Sequence, residues 1–176
     1  MKAVFVTALL LLSTFAVGQK DKSKRPSPPA STQCSFADGS KVSIDYSRPS
    51  MKGRKVYGEL VPFDQEWRLG ANEATTFVAD SDVKIGSTSI PKGSYTLFMQ
   101  PSADKTWQLV ISKKTGEWGI PYPGKEFDFA RVDLNKSSLD APVELFTITL
   151  SKEGDGCVMN VDWETTRASV KIAEAK

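Results

Sequence analysis

The stretch CVMNVDWE, residues 157–164, sets Cys157, Met159, Val161 and Trp163 against Asn160, Asp162 and Glu164. A period of two is that of a strand with one buried face, whereas an amphipathic helix repeats at 3.6. The same period recurs through Tyr95, Leu97 and Met99, through Trp107, Leu109 and Ile111, and through Phe146, Ile148 and Leu150. Chain-reversing residues separate these runs: PKG at 91–93, PSADK at 101–105 and EGDG at 153–156. KVSIDYS, RKVYGEL, TTFVAD, DVKIG, FDFARVDL and RASVKIA add short strands, giving nine or ten, with no amphipathic helix. The expected fold is all-β, a single-domain antiparallel β-sandwich, jelly-roll-like in one arrangement, with an irregular aromatic loop at EWGIPYPGKEF.

Residues 1–18 read as a secretory signal peptide: Lys2, an apolar run from Ala3 to Leu12, then small residues at Ala16 and Gly18. The run is too short to span a bilayer comfortably, so no stable membrane anchor is expected and the destination is the periplasm or the exterior. Residues 19–33, rich in Lys, Pro and Ser, read as a flexible tether, and 34–176 as the sandwich domain. The chain has 23 basic and 21 acidic residues, and removing the signal leaves a net charge of +1, which gives no reason to invoke nucleic acid. Cys34 and Cys157 are an even pair in an exported chain and read as a disulfide, with two unpaired buried thiols as the alternative.

The chain has no histidine. That removes Ser-His-Asp and Cys-His catalysis and imidazole metal sites. Ser102-x-x-Lys105 followed by KTG at 114–116 imitates a penicillin-binding signature, but the serine there opens a helix, and here Pro101 leads into a hairpin. Asp80 and Asp82 lack the glycine and glutamate that an EF-hand needs at its sixth and twelfth positions. No metal site, cofactor or catalytic residue is assigned. A glycan hydrolase built on carboxylates remains open through Asp45, Glu59, Glu66 and Glu73.

From Tyr46 the chain reads YSRPSMKGRKVYGELVPFDQEWRLGANEATTF, followed by IPKGSYTLF, WQLVIS, EWG and ARV. This order of motifs resembles the bacterial family catalogued as domain of unknown function 2911 (DUF2911), over roughly residues 41–150. The resemblance implies an exported all-β protein without an assigned biochemical role and supplies no catalytic residues. Many relatives carry Asn where this chain has Ser112.

Within that run, Glu66, Trp67, Arg68, Asn72 and Glu73 gather chemistry around the small residues Gly70 and Ala71. Arg68 and Glu73 are matched for a bidentate pair, with Arg48 and Arg54 as further partners. Three readings follow. In the first these groups are a buried Arg-carboxylate scaffold. In the second Arg68 is open to an anionic or polyhydroxylated ligand, with Trp67 or Trp118 as its platform. The third is carboxylate catalysis. The rings of Trp118, Tyr122 and Phe127 cap the core in the first case and line a ligand wall in the second. The function expected is a non-enzymatic binding or envelope-associated module for a small polar, anionic or glycan ligand. The alternatives are the glycan hydrolase and a structural module that joins an envelope assembly through a free edge strand. Oligomeric state is left open.

Overall fold

The hairpin expected at EGDG forms with Gly154 and Asp155 as its two loop residues, Glu153 pairing with Gly156 and Gly154 at φ +57°, a conformation that favours glycine. The computed structural model describes residues 21–175, so the signal peptide read at 1–18 lies outside the described residues. Ten strands form: β1 (Pro29–Ser35), β2 (Lys41–Ser47), β3 (Thr75–Ala79), β4 (Val83–Ile85), β5 (Thr88–Ile90), β6 (Gly93–Gln100), β7 (Gln108–Ser112), β8 (Asp128–Asp133), β9 (Asn135–Glu153) and β10 (Gly156–Glu174). They make a six-stranded sheet, β1-β2-β3-β6-β7-β8, and a four-stranded sheet, β5-β4-β10-β9. Every pairing is antiparallel. The sheets pack as a sandwich around Ile44, Phe77, Leu97 and Ile111 from one side and Phe146, Ile148, Val161 and Trp163 from the other, each at most 1% exposed. Burial of this completeness stabilises by roughly 1.5 to 3 kcal/mol per large side chain. Cys34 on β1 and Cys157 on β10 are disulfide-bonded, tying one sheet to the other across 123 residues of sequence.

Three expectations are corrected. RKVYGEL is not a strand: Lys52 and Gly53 just before it and Gly58 within it take positive φ, and the segment folds into turns that tuck Val56 and Tyr57 inside. A side chain at Gly58 would stand 2.7 Å from the Phe63 ring, so the turn needs glycine. The tether ends earlier than residue 33, because β1 starts at Pro29, opposite Ser47 of β2. Proline is tolerated at the first position of an edge strand, where no ladder N–H is required. CVMNVDWE and RASVKIA fuse into the single strand β10, bent where the register against β9 shifts on either side of Glu164.

The edge of β9 is not free between Glu144 and Leu150. Tyr46 Oη accepts from Ile148 N (3.0 Å) and donates to Ile148 O (3.1 Å), Thr32 Oγ1 accepts from Leu150 N (3.0 Å), and Phe146 N donates to Pro49 O (2.9 Å). One phenol thus serves both backbone groups of Ile148, as a neighbouring strand would. This counts against assembly through that stretch of the edge. Tyr46→Phe leaves that N–H and C=O buried without partners, and chemical denaturation is expected to show a loss of about 1 to 3 kcal/mol. A change below about 0.5 kcal/mol would show that the hydroxyl does not seal the edge.

Candidate functional site

The pairing of β3 with β6 ends at Thr75 and Leu97, and Trp67 takes the vacated place at Met99, exchanging two backbone hydrogen bonds of 2.8 Å. Strand alternation then decides three side chains at once. Trp67 turns inward, stacked on Trp163 at 5.4 Å and edge-on to Phe146 at 4.9 Å, while Glu66 and Arg68 turn outward. The chain reverses through Leu69 (φ +54°), Gly70 and Asn72 (φ +58°), secured by Thr75 Oγ1 donating to Leu69 O (2.6 Å) and Trp67 Nε1 to Gly70 O (3.1 Å). A Cβ on Gly70 would meet Ser47 O at 2.8 Å, which explains a glycine there.

The reversal separates Arg68 from Glu73, and the expected bidentate pair does not form. Glu73 Oε2 accepts from Arg25 Nη1 (2.6 Å) and Oε1 lies 3.2 Å from Lys22 Nζ, while Asn72 Nδ2 donates to Ser27 O (3.0 Å). Asn72 and Glu73 therefore strap the N-terminal segment to the sandwich. Arg48 and Arg54 are also elsewhere: Arg48 donates to Phe146 O and Thr147 Oγ1 at the edge of β9, and Arg54 to Ser50 O and Met51 O in its own turn.

Glu66 has a partner that the sequence reading missed. Arg131 on β8 donates through Nη2 to Glu66 Oε1 (2.8 Å), through Nε to Asp128 Oδ2 (2.8 Å) and through Nη1 to Gln100 Oε1 (3.2 Å). Tyr122 Oη donates to Asp128 Oδ1, and its ring stands edge-on to Phe98 at 5.1 Å. Burial works against the Arg131 charge, but the hydrogen bonds to Glu66 and Asp128 outweigh it and hold the guanidinium above its ordinary pKa. Burial, and then Asp128, push the Tyr122 phenol up.

The aromatic loop divides its rings between the two roles. Tyr122 covers a second, smaller core of Ala74, Phe98 and Val110 on the outer face of the sheet, Phe127 lies under Lys114 Nζ at 4.8 Å, and Trp118 is 52% exposed. Arg68 Cζ lies 5.5 Å from the centre of the Trp118 ring, and Nη1 donates to Trp118 O at 3.3 Å. Gly119 fits against Ala74 and Arg68 only without a side chain, since a Cβ would meet the Cβ of each at 2.9 Å. Beside Arg68 opens a groove of about 410 Å³ walled by Leu60, Pro62, Ile120, Pro121 and Tyr122. Its wall includes two of the exposed large apolar residues, Leu60 at 37% and Ile120 at 65%.

A family profile described as protein of unknown function (DUF2911) matches residues 27–172. The chain belongs to that family. The match is wider than the 41–150 read from motifs, and in this DUF2911 domain it takes in β1 and nearly all of β10. No curated protein and no solved structure matches the chain. The run WRLGANEAT, residues 67–75, supplies the inward Trp67, the outward Arg68 and the Asn72–Glu73 strap. Ser112, the position at which the resemblance gives many relatives Asn, is fully buried, with its Oγ accepting from Lys114 N (3.3 Å) and donating to Phe127 O (3.4 Å). Among the described residues no group of three or more His, Cys, Asp or Glu is placed to hold a metal ion.

Arg25 first, and Lys22 with it, hold the Glu73 carboxyl down to about 2 from an ordinary 4.5. A depressed folded pKa stabilises fully above the unfolded value, so the strap is complete above about pH 4.5 and is lost as pH falls through about 2. Carbon NMR of the Glu73 carboxyl is expected to give a midpoint near 2, with the Arg25 side-chain shifts moving together with it. A midpoint near 4.5 would mean that the strap does not hold in solution.

Proposed function

We propose that this DUF2911 domain is an exported, non-enzymatic binding module whose groove beside Arg68 takes an anionic ligand with an apolar or ring-shaped body. The observation that carries the reading is the state of Arg68. Burial lowers its pKa, with the Glu73 charge acting in the opposite sense, and no carboxylate lies within ion-pair distance of it among the described residues. Its one hydrogen bond to protein is the 3.3 Å contact with Trp118 O. A guanidinium partly withdrawn from water and left without an anion retains most of its donors for a carboxylate or phosphate, in the planar geometry that such groups accept. Trp118, Leu60 and Ile120 beside it offer surface to the rest of the ligand. Export is supported by the disulfide between Cys34 and Cys157, which belongs to oxidising compartments, and by residues 1–18 reading as a signal. No helix of the described residues is long and apolar enough to cross a membrane.

One observation favours a second reading, hydrolysis of glycans. Asp45 and Glu73 wall a common cleft of about 470 Å³ together with Lys22, Arg25 and Tyr46. Two facing carboxylates suit that chemistry when one of them carries a proton at the working pH. Glu73, held down to about 2, is ionised at neutral pH and fits only the role of nucleophile or base. Glu66 is withdrawn from catalysis by its ion pair with Arg131.

Phenylacetate and phenyl phosphate are suitable probes of the groove. In ¹H–¹⁵N spectra they are expected to shift the Arg68 side chain and the amides of residues 117–120 and 122 saturably, and Arg68→Ala should weaken binding by at least about tenfold, the loss of a charge-assisted hydrogen bond. Binding that is indifferent to Arg68→Ala and to Trp118→Ala would refute the assignment.

A further inference from the structure

Among the described residues, Tyr57 Oη is the buried side-chain polar atom that has no hydrogen-bond partner. Tyr57 is 6% exposed and its ring lies 4.5 Å from that of Trp107. Native folds satisfy nearly all such groups, so an orphaned phenol needs a reason. Trp107 is itself anchored, its Nε1 donating to Ser102 O at 2.7 Å, and Lys136 Nζ stands 5.3 Å from the centre of its ring. These groups wall a cleft of about 330 Å³, with Glu164, Ser138 and Thr166 completing it. It lies apart from the Arg68 groove, with no lining residue in common.

The far wall is built with the same economy of partners. Glu164 stands at φ +54°, a left-handed conformation uncommon outside glycine, between two register shifts in the pairing of β10 with β9. Bulges of this kind re-aim a side chain, and here the residue re-aimed is a carboxylate on the cleft wall. Asp162 is committed to Arg167, which reaches both its oxygens at 2.7 and 2.6 Å, whereas Glu164 has no ion pair among the described residues. The Tyr57 phenol is pushed up in pKa by burial first and then by the charges of Glu164 and Asp162, so it remains a neutral donor.

We infer that this cleft is a binding site for a neutral polyhydroxylated ligand of monosaccharide size. One cation, Lys136, and one anion, Glu164, line it and balance each other, so it offers no net attraction to an ion. The Glu164 carboxylate is an acceptor for two vicinal hydroxyls, and Tyr57 Oη and Thr166 Oγ1 are groups that both donate and accept. The Phe63 and Trp107 rings supply apolar wall for the C–H face of a sugar. Convergent polar groups on an apolar wall, in a volume at the lower end of the usual range of about 300 to 1,000 Å³, are the ordinary form of a small-molecule site.

The test titrates the protein with D-glucose, N-acetyl-D-glucosamine and myo-inositol at millimolar concentration, reading amide shifts at residues 136–138 and 164–166. Saturable shifts are expected with at least one of the three. Tyr57→Phe and Glu164→Gln should each weaken binding by at least about tenfold, the loss of one well-placed hydrogen bond, while Arg68→Ala leaves it unchanged. Tyr57→Phe removes only an unpartnered atom, so its spectrum is expected to stay folded and a binding loss can be read directly. No saturable shift with any of the three, or affinity untouched by both substitutions, would overturn the inference. Destabilisation by Tyr57→Phe without sugar binding would also overturn it, assigning the hydroxyl to a buried water instead.

Discussion

A guanidinium set below the surface of a β-sandwich must find acceptors or unfold the ground around it, and Arg131 does this for the candidate site. Asp128, Glu66, Gln100 and Tyr122 close around it, with side-chain exposures of 21% for Arg131, 14% for Glu66 and 11% for Asp128. Those partners come from β8, the end of β6, the segment before Trp67 and the aromatic loop. One half-buried charge therefore joins four pieces of chain that are distant in sequence. The carboxylate nearest Arg68 in sequence, Glu66, is already taken by Arg131; Asp64, four residues before Arg68, accepts from Ser102 Oγ, and Glu73, five after it, is taken by Arg25 and Lys22. That Arg68 remains without an anion follows from how the other charges were satisfied.

The polar run divides residue by residue. Trp67 is core, Glu66 is part of the Arg131 network, Asn72 and Glu73 are the strap, and Arg68 with Trp118 is the part left available. The same division applies to the loop after β7, where Tyr122 packs on Phe98 and Trp118 faces solvent. Supporting and presenting groups alternate along single short segments, so the residues that line the groove sit beside residues packed into the fold.

What was legible in the sequence is what period and turn chemistry determine. The inward residues of β6, β7, β9 and the first half of β10 come out where alternation places them, as does the Gly154 hairpin. The disulfide followed from an even cysteine count and from reading residues 1–18 as a signal. What was not legible depends on a break in the period or on a distant partner. Asp128 and Arg131 lie on opposite faces of an ideal strand, but Phe129 is bulged out between the pairs Ser112–Asp128 and Ile111–Ala130, which brings both onto one guanidinium network. Phe98 and Val110 fall on the outward face and are buried only because the loop carrying Tyr122 folds over them. β1 hides in a Pro/Ser-rich run because an edge strand tolerates proline and needs few apolar residues. The pairing of Arg131 with Glu66 spans 65 residues, which no local pattern records.

The central claim is a division of labour between two arginines, and stability measures it without knowledge of any ligand. Denaturant unfolding of Arg131→Ala and Arg68→Ala, compared with the unaltered chain, separates scaffold from site. Arg131→Ala strands Glu66 and Asp128 and should cost on the order of 3 kcal/mol. Arg68→Ala should leave stability unchanged or raise it, as when a group kept for binding is removed. Equal and large losses for the two variants would contradict the account, because Arg68 would then be holding the fold rather than waiting for a partner.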